Sequence, residues 1–413
     1  MNSNLSGSNI NTVKAHNIQV VLLTLLNNEC LSRVQLARRT GLSNTTITNL
    51  ISELIELGLV VEECPTTQNS GKTRPVGRPR TALRLAPDAR FVFGVHIGIG
   101  TFRVALTNLR DEIIDYQPVP FEIDASAKVV LNKIIETIEG LIGKHALPRE
   151  KIIGVGVGAS GLVDFQAGVN ILAPRLSWRD VPMRDILQGK LNLPVVIDNN
   201  VRTMAIAETY FGEGKESSSL VFLYGRAGVG AGLTFDGKVY RGNAMGAGEI
   251  GHMIMTLYNG QLCHCGNRGC LETLVSEAAI LSEAEKIIEK DPDGLMAQYM
   301  KKGDMRPIER VFAAGQAGDQ TVCEMLNGIG EFLGLALVNV VNLFNPELIL
   351  LGGIFSQGQE FFLEPAARTV RTFSFGGMGK KVEIKPTTFG WKAGVLGAAA
   401  LALLNFFYQA ETL

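Results

Sequence analysis

The sequence predicts an α/β protein with a small helical head followed by a two-lobed body. In the first sixty positions, apolar residues recur at helical spacing and then give way to two short β-prone runs. From residue 91 onward, three glycine-rich segments each follow a β-prone run, with strand-like and helix-like stretches alternating between them. Charge divides the same way. The net charge is only −1, yet residues 1–90 carry ten Lys and Arg against six Asp and Glu, and the remainder carries 29 against 34. A basic head on an acidic body is expected when only the head meets nucleic acid.

At 413 residues the chain exceeds one compact core and implies two or three packed units, divided here as 1–86 and 87–413. With 46% hydrophobic and 19% charged residues, the composition is that of a globular protein rather than a disordered or fibrous one. The polar opening MNSNLSGSNINTVK does not read as a signal peptide. Leu396 to Leu404 is too short to span a bilayer, and Phe332 to Phe355 is interrupted by Asn339, Asn342, Asn345 and Pro346. Both read as buried elements, so the expectation is a cytoplasmic protein with no membrane partner. Three of the six cysteines fall within eight residues, which suggests a metal site in a reducing compartment.

In the head, Ile18, Val21, Leu22, Leu25 and Leu26 predict a helix over Asn17 to Asn27. Ser32 caps a short second helix that ends at Gly41, and Ser43 caps a third with Ile47, Leu50, Ile51, Leu54 and Ile55 on its apolar face, stopped at Gly58. The segment LARRTGLSNTTITNLI is thus a helix-turn-helix pattern. From the cap Ser43 onward, its outer face carries Asn44, Thr45, Thr46, Thr48 and Asn49, short hydrogen-bonding side chains suited to base edges in a major groove. Arg38 and Arg39 fall where phosphate contacts supply affinity without sequence preference. Leu59 to Glu62 and Ala82 to Leu85 then predict a winged hairpin around CPTTQNSGKTRPVGRPRT. Within it, Gly77-Arg78-Pro79-Arg80 resembles an AT-hook tripeptide, in which Arg78 and Arg80 enter a narrow minor groove; the segment reads equally as a basic solvated linker. A three-helix protein-contact module is the other reading of the head.

The body's glycine-rich segments are FVFGVHIGIGTFRVALT, IIGVGVGASGLVD and LVFLYGRAGVGAGLTFDG. Each alone is a weak signal, because glycine serves tight turns and close backbone approach alike. In order, with alternating elements, they predict two lobes around a central cleft. The sharper chemistry lies in GEIGHMIMTLYNGQLCHCGNRGCLE. His252, Cys263, Cys265 and Cys270, at spacings of 11, 2 and 5, form a complete tetrahedral zinc set of the closed, structural kind, with Gly266 and Gly269 permitting a tight loop. His264 is a competing ligand, and unpaired cysteines beside a core histidine are the plainer reading.

The motif His252…Cys263-x-Cys265-Gly266-x-x-Gly269-Cys270-x-Glu272 resembles the zinc signature of the ROK family, which groups sugar kinases with sugar-responsive repressors. The stretches SGLVDFQAGVNILAPRLSWRDVPM and DNNVRTMAIAE are similar to its sugar-lobe segments, and the head resembles its repressor branch. The resemblance spans roughly residues 90–400. It implies an actin/hexokinase-like (RNase H-like) fold, a sugar in the interlobe cleft, and a homodimer or homotetramer. Carried over residue by residue, it implies sugar contacts from Asn199, Glu249, His252 and Glu272, with the turn at Ser160-Gly161 and the neighbouring Asn200 alongside. Carboxylates and amides suit the task, since each can bind hydroxyls that both donate and accept. His252 could serve metal and sugar through its two ring nitrogens. Glu249 and Glu272 also read as anchors of the metal loop.

Where kinases of this family place a base, directly after the Asn of this segment, the chain has Asn200. An amide cannot take a proton from an attacking hydroxyl, and losing a general base costs about 10²–10⁴ in rate. The first phosphate loop opens with His96 instead of Asp, and the second reads Arg226-Ala227-Gly228 instead of Gly-Thr-Gly. These departures point to a sensor: a sugar-responsive repressor of carbohydrate genes bound to double-stranded operator DNA. A residual sugar kinase with a regulatory head and a sugar-dependent activator are the alternatives. Arg202 and Arg226 lie near the cleft in sequence, open to an anionic ligand or a surface ion pair, the latter favoured. The helix from Ala393 to Phe407 is a candidate link between lobe closure and the head.

Overall fold

The structure, a computed structural model, describes residues 10–63 and 82–409. Arg78 and Arg80 lie outside the described residues. The head comprises α1 (Ile10–Leu26), α2 (Arg33–Thr40), α3 (Asn44–Glu56), β1 (Val60–Glu63) and β2 (Ala82–Leu85). α1 starts at Ile10 rather than at the expected Asn17, whose apolar recurrence marks only the later turns; Lys14 in the first turns pairs with Glu53 of α3 at 2.8 Å. Ser32 forms a capping box with Gln35, and Gly41, with φ 71°, ends α2. Ser43 accepts from the Thr46 N–H at the start of α3. Ile47, Leu50, Ile51 and Leu54 are buried with Val21, Leu22, Leu25 and Leu36 in one core. β1 and β2 pair antiparallel, and Leu31 extends the hairpin by exchanging both backbone bonds with Leu83.

The body repeats one sheet plan twice. In the first lobe, β3 (Phe91–Ile97), β4 (Thr101–Asn108) and β5 (Ile113–Pro120) form an antiparallel meander. After α4 (Ala127–Lys144), β6 (Ile152–Ala159) pairs parallel to β3. A small sheet of β7 (Leu162–Asp164), β8 (Val169–Ala173) and β9 (Trp178–Val181) follows, then α5 (Met183–Leu191) and β10 (Val195–Asn199), parallel to β6. α6 (Asn200–Phe211) leads to the second meander: β11 (Ser219–Gly225), β12 (Val229–Phe235) and β13 (Lys238–Val239). Helices α7 (Glu272–Val275), α8 (Glu277–Lys290), α9 (Leu295–Met300), α10 (Pro307–Gln316) and α11 (Gln320–Phe344) precede β14 (Leu348–Gly353), parallel to β11. α12 (Ile354–Gln357) and α13 (Gln359–Phe373) lead to β15 (Glu383–Pro386), and α14 (Ala393–Leu403) follows.

The two sheets run β5-β4-β3-β6-β10 and β13-β12-β11-β14-β15. The glycine-rich turns after β3 and β11 are therefore equivalent positions in the two lobes. Every residue of α14 is buried. It lies against the first sheet closely enough that a Cβ on Gly156 would sit 1.8 Å from the Ala398 carbonyl oxygen, and one on Gly397 would sit 2.6 Å from the Thr203 backbone of α6. α14 ends in a π-helical turn, Leu404–Tyr408, which packs on α1. The helices Gln320–Phe344 and Gly390–Tyr408 are long and apolar enough to cross a membrane, but most of each is buried within the protein, as in core helices.

Candidate functional site

A cleft of about 510 Å³ opens between the lobes. Ser160, Gly161, Asn199, Asn200, Glu249, His252 and Glu272 all line it, although they come from four separate segments of chain. Asn199 ends β10 and caps α6: its Oδ1 accepts from the Val201 and Arg202 N–H groups, and its Nδ2 donates to the Gly161 carbonyl at 2.9 Å. Much of that amide is thus committed to holding the Ser160-Gly161 turn. Asn200 opens α6, with its Oδ1 accepting from Val201 at 2.9 Å. Glu249 precedes the 3₁₀ turn Ile250–His252. Desolvation pushes its carboxyl pKa above the usual range, and Glu272 adds to the rise, against the pull of His252 and Arg202.

Under this floor lies a network that the sequence did not reveal. Asp198 and Arg202 are both buried, with Arg202 Nε 2.7 Å from Asp198 Oδ1 and Arg241 Nε 2.9 Å from Oδ2. Arg202 also donates to the Met245 carbonyl at 2.6 Å and the Val163 carbonyl at 3.2 Å. It therefore ties the start of α6 to β7 and to the loop that carries Glu249. The surface ion pair expected of Arg202 is corrected to a buried one. Arg226, expected to be paired as well, lines the cleft and has no ion pair among the described residues. Arg175 and Glu277 also line the cleft, and no sequence pattern had marked them.

The metal-site candidates converge: the ligand atoms of His252, Cys263, Cys265 and Cys270 all lie within 4.8 Å of one another. Tetrahedral zinc, with Zn–S near 2.3 Å and Zn–N near 2.0–2.1 Å, sets ligand separations of about 3.5–3.8 Å. Cys265 Sγ to Cys270 Sγ is 3.7 Å, and Cys263 Sγ to His252 Nδ1 is 3.7 Å. The donor set therefore fits such an ion, with His252 rather than His264 in it. Gly266 and Gly269, at φ 93° and 76°, form the loop in the left-handed backbone that it requires. Burial pushes the Cys263 and Cys270 thiols up, whereas the Asn267 backbone N–H draws Cys265 down. Glu272 Oε1 accepts from Cys263 Sγ at 3.0 Å, so this carboxylate touches both the cysteine cluster and the cleft.

In the head, Arg38, Arg39, Ser43, Asn44, Thr45, Thr48 and Asn49 are exposed and Thr46 is half-buried. Their hydroxyls and amides are not equally free. Ser43 Oγ bonds Thr46 Oγ1 at 2.8 Å, and Thr48 Oγ1 donates to the Asn44 carbonyl at 2.8 Å. Asn44, Thr45, Asn49 and the two arginines have no side-chain bond within the described residues.

The ROK family model matches residues 92–404, and a winged helix-turn-helix DNA-binding model matches residues 17–61. The xylose repressor of Caldicellulosiruptor bescii is 32% identical over 392 residues, covering 95% of this chain and 96% of its own. Among solved structures, a ROK family transcriptional regulator described as a homolog of the E. coli MLC protein matches with a TM-score of 0.81 at 26% identity, over 97% of this chain and 99% of that one. A ROK family glucokinase from Streptomyces griseus, in complex with glucose and AMPPNP, matches with a TM-score of 0.68 at 26% identity over 76% of this chain and 100% of its own. The last match omits a length comparable to the head. The chain belongs to the ROK family and carries a winged helix-turn-helix head.

Proposed function

We propose that this chain is a transcriptional repressor of carbohydrate genes whose hold on double-stranded operator DNA is set by a sugar bound between the lobes. One observation carries the reading: the cleft is joined to the head through packed helices. α6 begins at the cleft with Asn200 and packs along α14. The turn that ends α14 shares a hydrophobic core with Val21, Leu22 and Leu25 of α1 through Phe407 and Tyr408. A sugar that favours one lobe geometry therefore has a physical route to the head, and it shifts DNA binding only by its differential affinity for the two states.

In this reading, residues 1–86 are the DNA-binding unit and 87–413 the sensor. Asn44, Thr45 and Asn49 read bases, and Arg38 and Arg39 hold phosphates. Ser43, Thr46 and Thr48 chiefly shape α3, and Arg78 and Arg80 act from the wing. Ser160, Gly161, Asn199, Asn200, Glu249, His252 and Glu272 form the sugar site. Structural zinc on His252, Cys263, Cys265 and Cys270 fixes the loop that carries His252 and leads into Glu272. The protein acts in the cytoplasm as a homodimer or homotetramer, presenting paired heads to half-sites separated by whole helical turns. Catalysis is not part of the reading, because Asn200 offers an amide where proton acceptance is needed. The similarity to a glucokinase favours residual phosphoryl transfer as the second reading.

Fluorescence anisotropy of the full-length protein on DNA from upstream of its own gene, titrated with a panel of sugars, tests the proposal. Salt-sensitive binding released by one sugar supports it. Binding that no sugar alters, together with sugar-dependent ATP turnover abolished in Glu249→Ala, supports the kinase.

A further inference from the structure

Head, link and last helix meet on one turn of the body, residues 108–112 between β4 and β5. The Leu109 N–H donates to the Pro87 carbonyl at 3.0 Å, and Asn108 Nδ2 donates to Asp88 Oδ1 at 3.1 Å. Pro87 and Asp88 belong to the short link from β2 of the head to β3 of the body. From the other side, the Tyr408 hydroxyl at the end of α14 donates to the Leu109 carbonyl at 2.5 Å. Leu109 itself is fully buried, in the core that holds Val21, Leu22 and Leu25 of α1.

Asp111 makes this joint imperfect. It is 6% exposed, and neither of its carboxylate oxygens has a hydrogen-bond partner among the described residues. Thr107, fully buried, has an unpartnered Oγ1 as well. The ionisable groups around the carboxylate are Arg110 on the same turn and the Tyr408 phenol from α14, and neither pairs with it. Burial drives its carboxyl well above the usual carboxylate range, and the neighbouring Thr107 hydroxyl offsets this only in part. The backbone stands at φ 60°, in the left-handed region that glycine adopts most freely.

Nothing in the turn requires that carboxylate. Asn108 closes the turn alone: its carbonyl accepts from the Asp111 N–H at 3.0 Å, and its Oδ1 accepts from the Arg110 and Glu112 N–H groups. Asp198 shows the usual arrangement, equally buried but held by two guanidiniums. Buried polar atoms are almost always paired, and an unpaired one carries its full desolvation penalty.

We propose that Asp111 is a built-in weak point of the head–body joint, a carboxylate that makes the seated head costly and so keeps it ready to shift. Local strain persists where function uses it, and this strain sits where the head joins the helix that leads back to the cleft. Movement that admits water to the carboxylate restores its solvation, so the penalty exists only in the seated arrangement. A modest difference in ligand affinity between two seats then suffices to move the head. The inference goes beyond the operator reading, because it concerns the joint itself, whatever ligand biases it.

Hydrogen exchange of the full-length protein, without DNA or sugar, tests the proposal on wild type, Asp111→Asn and Asp111→Gly. The first variant keeps the size and removes the charge; the second removes the side chain and frees the backbone. Amides of α1 and of residues 86–90 should exchange more slowly in the variants, by about fivefold or more, as for relieving a buried unpaired polar group. Amides of α11, in the other lobe, should be unchanged. Slowing in Asp111→Asn alone places the cost in the charge, and slowing in Asp111→Gly alone places it in the buried side chain and its backbone; either supports the proposal. Unchanged or faster exchange of α1 in both variants overturns it, because a residue that supports the joint would loosen it when replaced. Neither DNA nor sugar enters the measurement, so its failure and that of the operator reading are distinguishable.

Discussion

The head and the cleft present similar polar chemistry but are built in opposite ways. The surface of α3 comes from consecutive residues whose caps and apolar stripe are all local: Ser43 caps it, and Ile47, Leu50, Ile51 and Leu54 face inward. The cleft gathers Ser160, Asn200, Glu249 and Glu272 from segments far apart, and they meet only because Asp198, Arg202 and Arg241 lock three segments together beneath them. The difference is that the head can change its outer residues without disturbing its frame, whereas the cleft cannot lose its foundation without losing its geometry.

The comparison can be broken most severely at the cysteine cluster. If the cluster holds structural zinc as proposed, stripping it with a chelator should release the loop that holds His252, because such zinc contributes about 10–16 kcal/mol of apparent binding energy in small domains. The body's melting temperature should fall and sugar response should vanish, with metal analysis reporting one zinc per chain beforehand. A metal-free protein with full sugar response would contradict the assignment.

Next in size is Asp198→Ala. Removing one partner of a buried pair leaves an uncompensated charge and costs about 3–5 kcal/mol. Denaturant unfolding should register the loss. A cost below that of an exposed ion pair, about 1 kcal/mol, would show that the network is not a foundation.

Glu249→Ala should act on binding alone. Losing a charged acceptor for sugar hydroxyls should weaken sugar affinity by about 1.5–3 kcal/mol while operator binding without sugar stays as in the wild type. Calorimetry and anisotropy separate the two, and a parallel loss of DNA binding would mean that Glu249 instead supports the fold.

The smallest effect belongs to the head. Ser43→Ala removes the cap of α3 and should cost about 1 kcal/mol of head stability, with a modest loss of DNA affinity and no change in sugar affinity. A changed sugar affinity would show that the head is less self-contained than its local construction implies.

This contrast also governs what the sequence made legible. Caps, glycine stops and the Cys-x-Cys spacing are short-range signals, so α2, α3 and the convergence of His252 with the three cysteines could be read directly. The start of α1 could not, since its contact with α3 there is the exposed Lys14–Glu53 pair, which leaves no apolar periodicity to read. Arg202 was misjudged for a related reason. Asp198 and Arg202, four residues apart, look like any exposed helical pair, and only Val163 and Met245, from other segments, bury and saturate the guanidinium. The repeat of one sheet order in both lobes was equally hidden, because register and strand order are set by long-range pairing. The resemblance supplied the cleft residues themselves; spacing alone would not have joined Asn199 to Glu249.

In the proposed function, the cleft and the head are energetically coupled. The most direct test is to measure the affinity of the releasing sugar twice, on the free protein and on the protein saturated with operator DNA. Coupling is reciprocal, so DNA should weaken sugar binding by the same factor by which saturating sugar weakens DNA binding. Equal sugar affinities in the two titrations would contradict the account, because a ligand indifferent to the DNA-bound state cannot release it.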